Sequence, residues 1–321
     1  MKCKYVATVL ALVMCLGAVV IAVDADDSDA ATAGSMNIYI YDGSSWSDYP
    51  AMAGYNALQA LKATGLSITA DEDYVVQKTN DYGSYDEINS NYGNISAIGT
   101  VTETTTSVWN TICYNDGWAV GPDAIGFITP FTDGAAASAN VVLYYGANIT
   151  SVPTDVSNYL AGKTLATMIT PSGSNYQYTF YLKIDADTGA TPVIADGTSV
   201  TYKNAAGRWT SKTLTADDLS NGITVRGVGS NAYAALKNAV GSSNVSGTDT
   251  AGAYNGWLNT MFNLGTVSGA NYIYWVQNTG ADAYLSFNLG AYSTLDNVPT
   301  DTNCDFVESS FKLIYSTYVY S

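Results

Sequence analysis

The chain has 321 residues, of which 47% are hydrophobic and only 12% are charged, and its formal net charge is −16. A chain of this length can form two domains that each bury a core, and its hydrophobic content argues against disorder throughout. The negative charge disfavours binding to nucleic acid, and the absence of histidine removes the commonest general base and the commonest metal ligand. We therefore expect no catalytic residues, no metal site and no cofactor.

The N-terminus has the features of an export signal. Lys2 and Lys4 precede an uncharged apolar stretch over residues 5–23, and acidic residues follow from Asp24 onward. We expect residues 1–33 to be a signal peptide, so that the protein is secreted or displayed at the cell surface. An uncleaved membrane anchor over the apolar stretch is the alternative, because a stretch of this length also suits a single span.

The first half of the chain is predicted to hold several strands around one helix. The helix runs from about Ala53 to Thr64, because apolar residues recur at helical spacing and Gly65 follows. Asn-Asp-Gly at residues 115–117 is a strong hairpin signal. The other predicted elements are strands over 37–41, 125–131 and 141–145, a strand that starts at Trp109, a turn at 42–45, and a loop with short extended pieces over 71–94.

The second half is predicted to have similar elements, including a helix that Ser230 or Asn231 caps and Gly241 ends. Residues 204–209 resemble the turn and tryptophan at residues 42–46. Between the halves lies a stretch rich in Ser, Thr and Gly that also contains two prolines, so we expect a linker or a peripheral wrap there. The chain therefore divides into residues 1–33, 34–146, 147–175 and 176–321.

Four short sequences recur in the same order in the two halves, which indicates a duplicated domain. The best match is the helix, where both copies start with Asn-Ala and end with Ala-Leu-Lys. The matching pairs are 56–62 with 231–237, 98–101 with 264–267, 109–117 with 272–280, and 141–145 with 311–315. Each unit is expected to be a mixed sheet packed on one main helix, an α+β arrangement rich in strands.

The helix at residues 232–237, the Tyr-Asn-Gly-Trp at 254–257 and the aromatic strand at 272–280 resemble the transcobalamin C-terminal-domain-like family. That family belongs to the soluble-ligand-binding β-grasp superfamily. Residues 276–278 read Val-Gln-Asn where the family has Val-Asn-Gly. The resemblance implies two tandem β-grasp-like domains and a contribution to holding a corrinoid.

Eight aromatic residues form the candidate ligand-binding set. Adjacent strand residues face opposite sides of a sheet, so Tyr272 and Tyr274 share one face and Trp275 takes the other. An exposed aromatic face can bind sugars, flat rings or another protein. Aromatic residues are also good strand residues, so packing within the sheets is the alternative explanation. The eight are Trp109, Tyr114, Trp118, Tyr254, Trp257, Tyr272, Tyr274 and Trp275.

Three N-glycosylation sequons, at Asn94, Asn148 and Asn244, are compatible with export. Cys113 and Cys304 stand at non-equivalent positions, one in each unit. This placement excludes a disulfide within a unit and favours two buried thiols, with a bridge between the units as the alternative.

The tripeptide Asp187-Thr188-Gly189 matches the core of an aspartic protease motif. The protease chemistry needs two such aspartates, and the sequence holds no second Asp-Thr-Gly or Asp-Ser-Gly. The tripeptide also lies between two apolar runs, where a hairpin turn is expected.

We expect a non-catalytic exported protein that presents aromatic surfaces to a soluble ligand, corrinoid-like or another small molecule, or to a cell-surface glycan. The alternative is a structural or adhesive protein of the cell envelope that contacts other proteins through surfaces rich in Tyr, Asn and Thr. In both cases the membrane is a partner only through residues 5–23, if the leader is retained.

Overall fold

The computed structural model describes residues 34–80, 83–132, 136–170, 176–203, 209–248, 256–268, 272–278, 284–285, 289–291 and 310–318. The described residues belong to one compact unit. The predicted leader, Tyr254 and Cys304 lie outside them. Among the described residues, no helix has the length and apolar character needed to cross a membrane.

Strands and two α-helices make up most of the described part of the first half and of the segment that follows it. The strands are β1 (Gly34–Tyr41), β2 (Trp46–Gly54), β3 (Ile68–Ala70), β4 (Val75–Asn80), β5 (Gly83–Ile88), β6 (Ile95–Ile98), β7 (Val101–Thr102), β8 (Val108–Tyr114), β9 (Trp118–Val120) and β10 (Asn140–Gly146). The helices are α1 (Ala57–Ala63), the 3₁₀ helix Ile125–Phe127 and α2 (Thr154–Leu160).

The second half adds ten strands and two α-helices among its described residues. The strands are β11 (Tyr176–Ile184), β12 (Ser199–Lys203), β13 (Trp209–Thr213), β14 (Ile223–Gly229), β15 (Val245–Gly247), β16 (Leu258–Met261), β17 (Leu264–Gly265), β18 (Tyr272–Asn278), β19 (Tyr284–Leu285) and β20 (Ser310–Tyr318). The helices are α3 (Ala216–Asn221), α4 (Ala232–Val240) and the 3₁₀ helices Ala186–Thr188, Ser242–Asn244 and Leu289–Ala291.

Two five-stranded sheets have the same strand order, β2-β1-β10-β8-β9 in the first half and β14-β11-β20-β18-β19 in the second. The central pair of each sheet is parallel, β1 with β10 and β11 with β20. All other neighbours are antiparallel. The prediction of a β-rich chain with mixed sheets is confirmed.

The sequence Gly-x-Asn explains why both halves have a helix at the same place. A Cβ added to Gly54 would lie 2.7 Å from the backbone nitrogen of Ala60, and one added to Gly229 would lie 2.4 Å from that of Ala235. Only glycine therefore lets α1 and α4 approach the end of the preceding strand so closely. Two residues later, Asn56 and Asn231 cap the helices, and Asn231 is one of the two caps that the sequence predicted for the second helix. The repeated helix sequence thus has a structural cause.

We expect Asn231→Ala to lower the free energy of unfolding by about 1 kcal/mol, because its side chain accepts a hydrogen bond from the Ala234 backbone nitrogen at 2.8 Å. Urea unfolding followed by circular dichroism would measure the change. Asn231→Asp is the matched control, since a carboxylate can accept the same bond. Equal losses in the two variants would contradict the capping role.

The inner faces of the two sheets form separate cores with their helices. Met36, Ile38 and Ile40 of β1 pack with Leu58 and Leu61 of α1, and all five are buried. These residues alternate along β1, as the two-residue period of a strand requires. In the second core, the corresponding residues of β11 pack with α4 and β20 in the same way.

Strand pairing corrects two of the four sequence matches between the halves. Trp109 lies opposite Tyr145, and Trp275 lies opposite Tyr315, so Trp109 corresponds to Trp275 and not to Tyr272. The ring centres are 5.1 Å apart at 52° in the first pair and 5.4 Å apart at 50° in the second. The pairing, rather than the local sequence, shows which residues are equivalent.

The second correction concerns a tight turn. Ile98 pairs with Val101 across the turn between β6 and β7, and Met261 pairs with Leu264 across the turn between β16 and β17. The equivalent of residues 98–101 is therefore 261–264 and not 264–267. The match was wrong because a shared Gly-Thr-Val sequence falls at different points of the two hairpins.

Two further predictions need correction. Residues 71–94 contain the hairpin β4–β5, which is inserted between two strands of a small sheet. The predicted strand 125–131 is instead the 3₁₀ helix followed by isolated bridges at Thr129 and Phe131. The predicted turn over 204–208 lies outside the described residues, and Trp209 opens β13 opposite Lys203 of β12, as Trp46 opens β2 opposite Tyr41 of β1. The pair β12–β13 forms a sheet of its own and is not part of the main sheet.

The segment after β10 covers the outer face of the first sheet. Buried Asn37 donates to the carbonyl of Thr164 at 3.1 Å, and buried Asn140 donates to the carbonyl of Ala166 and accepts from its backbone nitrogen, both at 2.8 Å. Helix α2 adds apolar contacts through Val156. The described part of the predicted linker is thus a peripheral wrap.

Candidate aromatic binding surface

A row of aromatic side chains lies on the outer face of the first sheet. Tyr41 of β1 has Trp46 of β2 directly opposite on one side and Tyr144 of β10 on the other. Its ring centre is 5.1 Å from that of Trp46 and 4.9 Å from that of Tyr144. Tyr159 of α2 stacks on Trp46 at 4.0 Å, with the ring planes 8° apart. All four side chains are half-buried, and we call them the aromatic row.

Strand alternation places these rings on the face away from α1. Ile38 and Ile40 of β1 enter the inner core, so Tyr39 and Tyr41 between and after them point outward. Residues opposite each other in neighbouring strands share a face, which brings Trp46 and Tyr144 to the same side. Residues of β1, β2 and β10 therefore meet on one face of the sheet.

Two of the tyrosine hydroxyls in the aromatic row donate hydrogen bonds to carboxylates. Asp48 accepts a hydrogen bond from the Tyr159 hydroxyl at 2.6 Å and from Lys163 Nζ at 2.6 Å, and Lys163 Nζ lies 4.2 Å from the centre of the Tyr159 ring. Asp155 accepts from the Tyr144 hydroxyl at 3.2 Å.

Burial, and then the neighbouring carboxylate, raises the pKa of both Tyr144 and Tyr159 above the usual tyrosine value. Both hydroxyls therefore stay protonated at neutral pH and donate to their carboxylates. The arrangement provides ring surface with a polar rim, and it contains no activated base or nucleophile among the groups described here.

The eight predicted site residues divide into three groups. Trp109 is 4% exposed and Trp275 is 8% exposed, and each belongs to an inner core. Their assignment to the ligand-binding set is therefore corrected, since Trp109 packs against Tyr145, and Trp275 packs against Phe262 and Tyr315, within these cores. Tyr114 and Trp118 lie half-buried on the outer face of the first sheet, in edge-to-face contact at 5.1 Å.

The other predicted aromatic residues belong to the second half. Trp257 is 38% exposed and immediately precedes β16. Tyr254 and the side chains of Tyr272 and Tyr274 lie outside the described residues. Of the eight predicted site residues, Tyr114 and Trp118 are thus in contact with each other, whereas Trp257 belongs to the second half.

Sequence reasoning missed the four members of the aromatic row. Trp46 was recognised only as a landmark after a turn, and Tyr41 and Tyr144 only as residues of predicted strands. The available signal was the alternation of apolar and aromatic residues over residues 38–41 of β1, which predicts an aromatic outer face for that strand. Tyr159 gave no local signal, because its position depends on how α2 folds back over the sheet.

A polar cluster joins the two halves. Arg226 of β14 is buried, donates to the Tyr92 hydroxyl at 3.1 Å, and has its guanidinium 5.6 Å from the centre of the Tyr74 ring. Asp86 of β5 accepts from Lys183 Nζ of β11 at 2.6 Å. The inserted hairpin β4–β5 and the chain after it thus contact the outer face of the second sheet.

Cys113 is a free, half-buried cysteine on β8. Burial raises the pKa of the thiol to about 12, so it remains protonated at neutral pH. We expect alkylation of Cys113 at neutral pH to be at least tenfold slower in the folded chain than in urea, because the thiolate is the reactive form. Peptide mapping after brief labelling would separate Cys113 from the other cysteines. Equal labelling in the folded and unfolded chain would contradict this expectation.

Metal and protease chemistry find no support in the described residues. No group of three or more His, Cys, Asp or Glu side chains there could hold a metal ion. Asp187 belongs to the exposed 3₁₀ turn Ala186–Thr188, which Gly189 ends with φ 61°. The aspartic protease tripeptide is therefore the turn after β11.

Comparisons with protein-family models, with curated proteins and with solved structures found no match. The resemblance to the transcobalamin C-terminal-domain-like family therefore stays a prediction from the sequence.

Proposed function

We propose that this protein is an exported, non-catalytic binding protein whose first half presents the aromatic row to a glycan. The observation that supports the proposal is the adjacency of four half-buried rings on one sheet face, with hydroxyl and carboxylate groups at their edge. Aromatic residues of this kind offer an apolar surface together with a polar tip. Sugar rings offer the complement, because they have apolar C–H faces and hydroxyls at their edges.

Charge narrows the class of glycan. The chain has a net charge of −16, and Asp48 and Asp155 stand at the row itself. This field repels highly sulfated or phosphorylated chains. The ligand class is therefore neutral or amine-bearing glycans. A corrinoid-like ligand, which the family resemblance suggests, belongs in the same binding test.

We expect Trp46→Ala to weaken binding of the best neutral oligosaccharide at least tenfold, which corresponds to about 1.4 kcal/mol. Trp46 contacts both Tyr41 and Tyr159, so its loss also removes the ring through which these two tyrosines are connected. Isothermal titration calorimetry of the full chain and of its Trp46→Ala variant would measure the affinities for neutral, acidic and amine-bearing oligosaccharides and for cobalamin.

Trp257→Ala is the matched control, because Trp257 is an exposed tryptophan of the second half. If no oligosaccharide and no corrinoid binds the unmodified chain, the proposal fails. An equal effect of the two substitutions would move the site away from the row.

We also infer that each half is a β-grasp-like unit, which agrees with the family resemblance. Supporting this assignment, both main sheets place the first and last strands of their unit side by side and parallel, and a helix follows the strand that pairs antiparallel with the first one. An experimental structure in which the two main sheets and helices fail to superpose would overturn the assignment.

Export of the protein is also part of the proposal, and it is inferred from the predicted leader over residues 1–33. Mass spectrometry of the mature protein from culture fluid should find an N-terminus close to residue 34. Recovery only from membranes, with the apolar stretch intact, would instead support the anchored alternative.

A structural or adhesive role in the cell envelope is the second candidate. It is favoured by β2, a nine-residue strand at the edge of the first sheet whose outer side pairs with no strand among the described residues. Edge strands are ready sites for pairing with another chain. Crosslinking of intact cells should then yield adducts through β2, whereas a freely diffusing monomer would count against this role.

A further inference from the structure

We propose that Asn148 is the N-glycosylation site of this chain, and that Asn94 and Asn244 are not modified. The inference rests on the proposed export, because the transferase and its donor lie outside the cytoplasm. In the reaction, the amide nitrogen of Asn148 bonds to the anomeric carbon of an oligosaccharide on a lipid diphosphate. The bond between that carbon and the diphosphate oxygen breaks, and one amide proton leaves with the diphosphate.

The loop around Asn148 is held so that this side chain points to solvent. Buried Asn110 donates to the carbonyl of Ala147 at 3.0 Å and accepts from the backbone nitrogen of Ile149 at 2.9 Å. One side chain thus fixes the residues on both sides of Asn148. Asn148 and Thr150, the two residues that the sequon requires, are both exposed.

Asn244 lies in the second core and its amide is fully used. Its nitrogen donates to the Thr198 hydroxyl and to the carbonyl of Val240, both at 2.9 Å. Its oxygen accepts from the backbone nitrogen of Ala195 at 2.9 Å. Attachment of a sugar would replace one of the donated hydrogens and place a polar ring in the core, so a chain modified here could not adopt this fold.

Asn94 is also a poor acceptor of a glycan, although it is less buried than Asn244. Its side chain is half-buried and the amide oxygen is fully enclosed. Its backbone is also fixed, since its nitrogen donates to the carbonyl of Asn91 and its carbonyl accepts from the nitrogen of Asp71. Little space is left for a glycan beside an amide in this position.

The location of Asn148 connects the modification with the aromatic row. Asn110 also donates to the carbonyl of Tyr144 at 3.2 Å, so the loop that carries Asn148 folds over the sheet directly beside the row. A glycan on Asn148 would therefore flank the proposed binding surface. Binding measurements should compare the glycosylated chain with the unmodified one.

The test is expression of the full chain in a eukaryotic secretory cell, once with its own leader and once with the leader of a host glycoprotein placed ahead of it. The second form enters the secretory pathway whether or not the native leader works. Enzymatic removal of glycans in heavy-oxygen water marks each occupied asparagine, and peptide mapping then identifies it. We expect the mark at Asn148 alone.

Thr150→Ala should abolish the mark and the matching mass shift, while Ser96→Ala, which removes the sequon of Asn94, should leave both unchanged. An unmarked Asn148 in secreted chain, with a host glycoprotein marked in the same sample, would overturn the proposal. A mark at Asn244 in folded, secreted chain would also overturn it. Either result leaves the glycan-binding proposal intact, because titration of unmodified chain tests that separately.

Discussion

Gly227→Ala is expected to lower the free energy of unfolding by about 3 kcal/mol or more. A Cβ at this position of β14 would lie 1.9 Å from the carbonyl oxygen of Ala235 and 2.9 Å from the Cβ of Ala239. The obstacle is backbone of α4 and not the end of a flexible side chain, so the whole helix must move away from the sheet. Overpacking of a filled core usually costs 1–3 kcal/mol, and contact with rigid backbone belongs at or above the top of that range.

Gly117→Ala is the matched control for this prediction. Nothing lies within 4 Å of a Cβ added to Gly117, so the substitution meets no obstacle. We expect a change within about 0.5 kcal/mol, as for other surface substitutions. Chemical denaturation of both variants would measure the difference, and equal stabilities of the two would show that α4 does not approach β14 as closely as described.

Arg226→Ala is expected to cost about 3 kcal/mol and to loosen the contact between the halves. The side chain is 4% exposed, donates to Tyr92 and lies against the Tyr74 ring. Its removal leaves a cavity and takes a charged donor from a buried hydroxyl, and such losses in buried networks are among the larger effects of single substitutions. Denaturation and limited proteolysis of the full chain would measure the effect.

Lys212→Ala provides the comparison for Arg226. Lys212 is likewise a cation with a polar partner, the carboxylate of Asp218, but its side chain is 40% exposed. Exposed ion pairs contribute about 0–1 kcal/mol, because water and salt screen the charges. Cleavage sites between the halves that open in Arg226→Ala but not in Lys212→Ala would place the effect at the junction. Identical behaviour would mean that the buried cluster does not hold the halves together.

Features that depend only on neighbouring residues, such as caps and turns, could be predicted from the sequence. The cap at Asn231, the turn at Asp42 and the helix end at Gly241 follow from side chains that bond to their own backbone or from residues that tolerate positive φ. Helix α1 starts later than predicted, at Ala57, because Asn56 is the cap and Gly54 belongs to β2.

The equivalence of the two halves needed pairing over long distances. Short matching sequences aligned Trp109 with Tyr272 instead of Trp275, since a shift of three residues changes the sequence similarity little in a strand rich in aromatic side chains. Which residues lie opposite each other depends on hydrogen bonds between strands that are far apart in the chain.

The sequence by itself determined the strand-rich class, the duplicated helix and the alternation of apolar and aromatic residues along β1. Only the tertiary structure decided which aromatic residues stay half exposed, because that depends on what covers each sheet. The first outer face is covered by the segment after β10, through asparagines that bind its backbone. The second is contacted by the inserted hairpin of the other half, through Asp86. Trp109 and Trp275 lie on the inner faces and are buried in the two cores, whereas Trp46 and Tyr144 lie on the outer face of the first sheet and stay half exposed. Which face a strand residue occupies, and what covers that face, depends on contacts between parts of the chain that are not neighbours in sequence, so no local pattern could distinguish these two pairs.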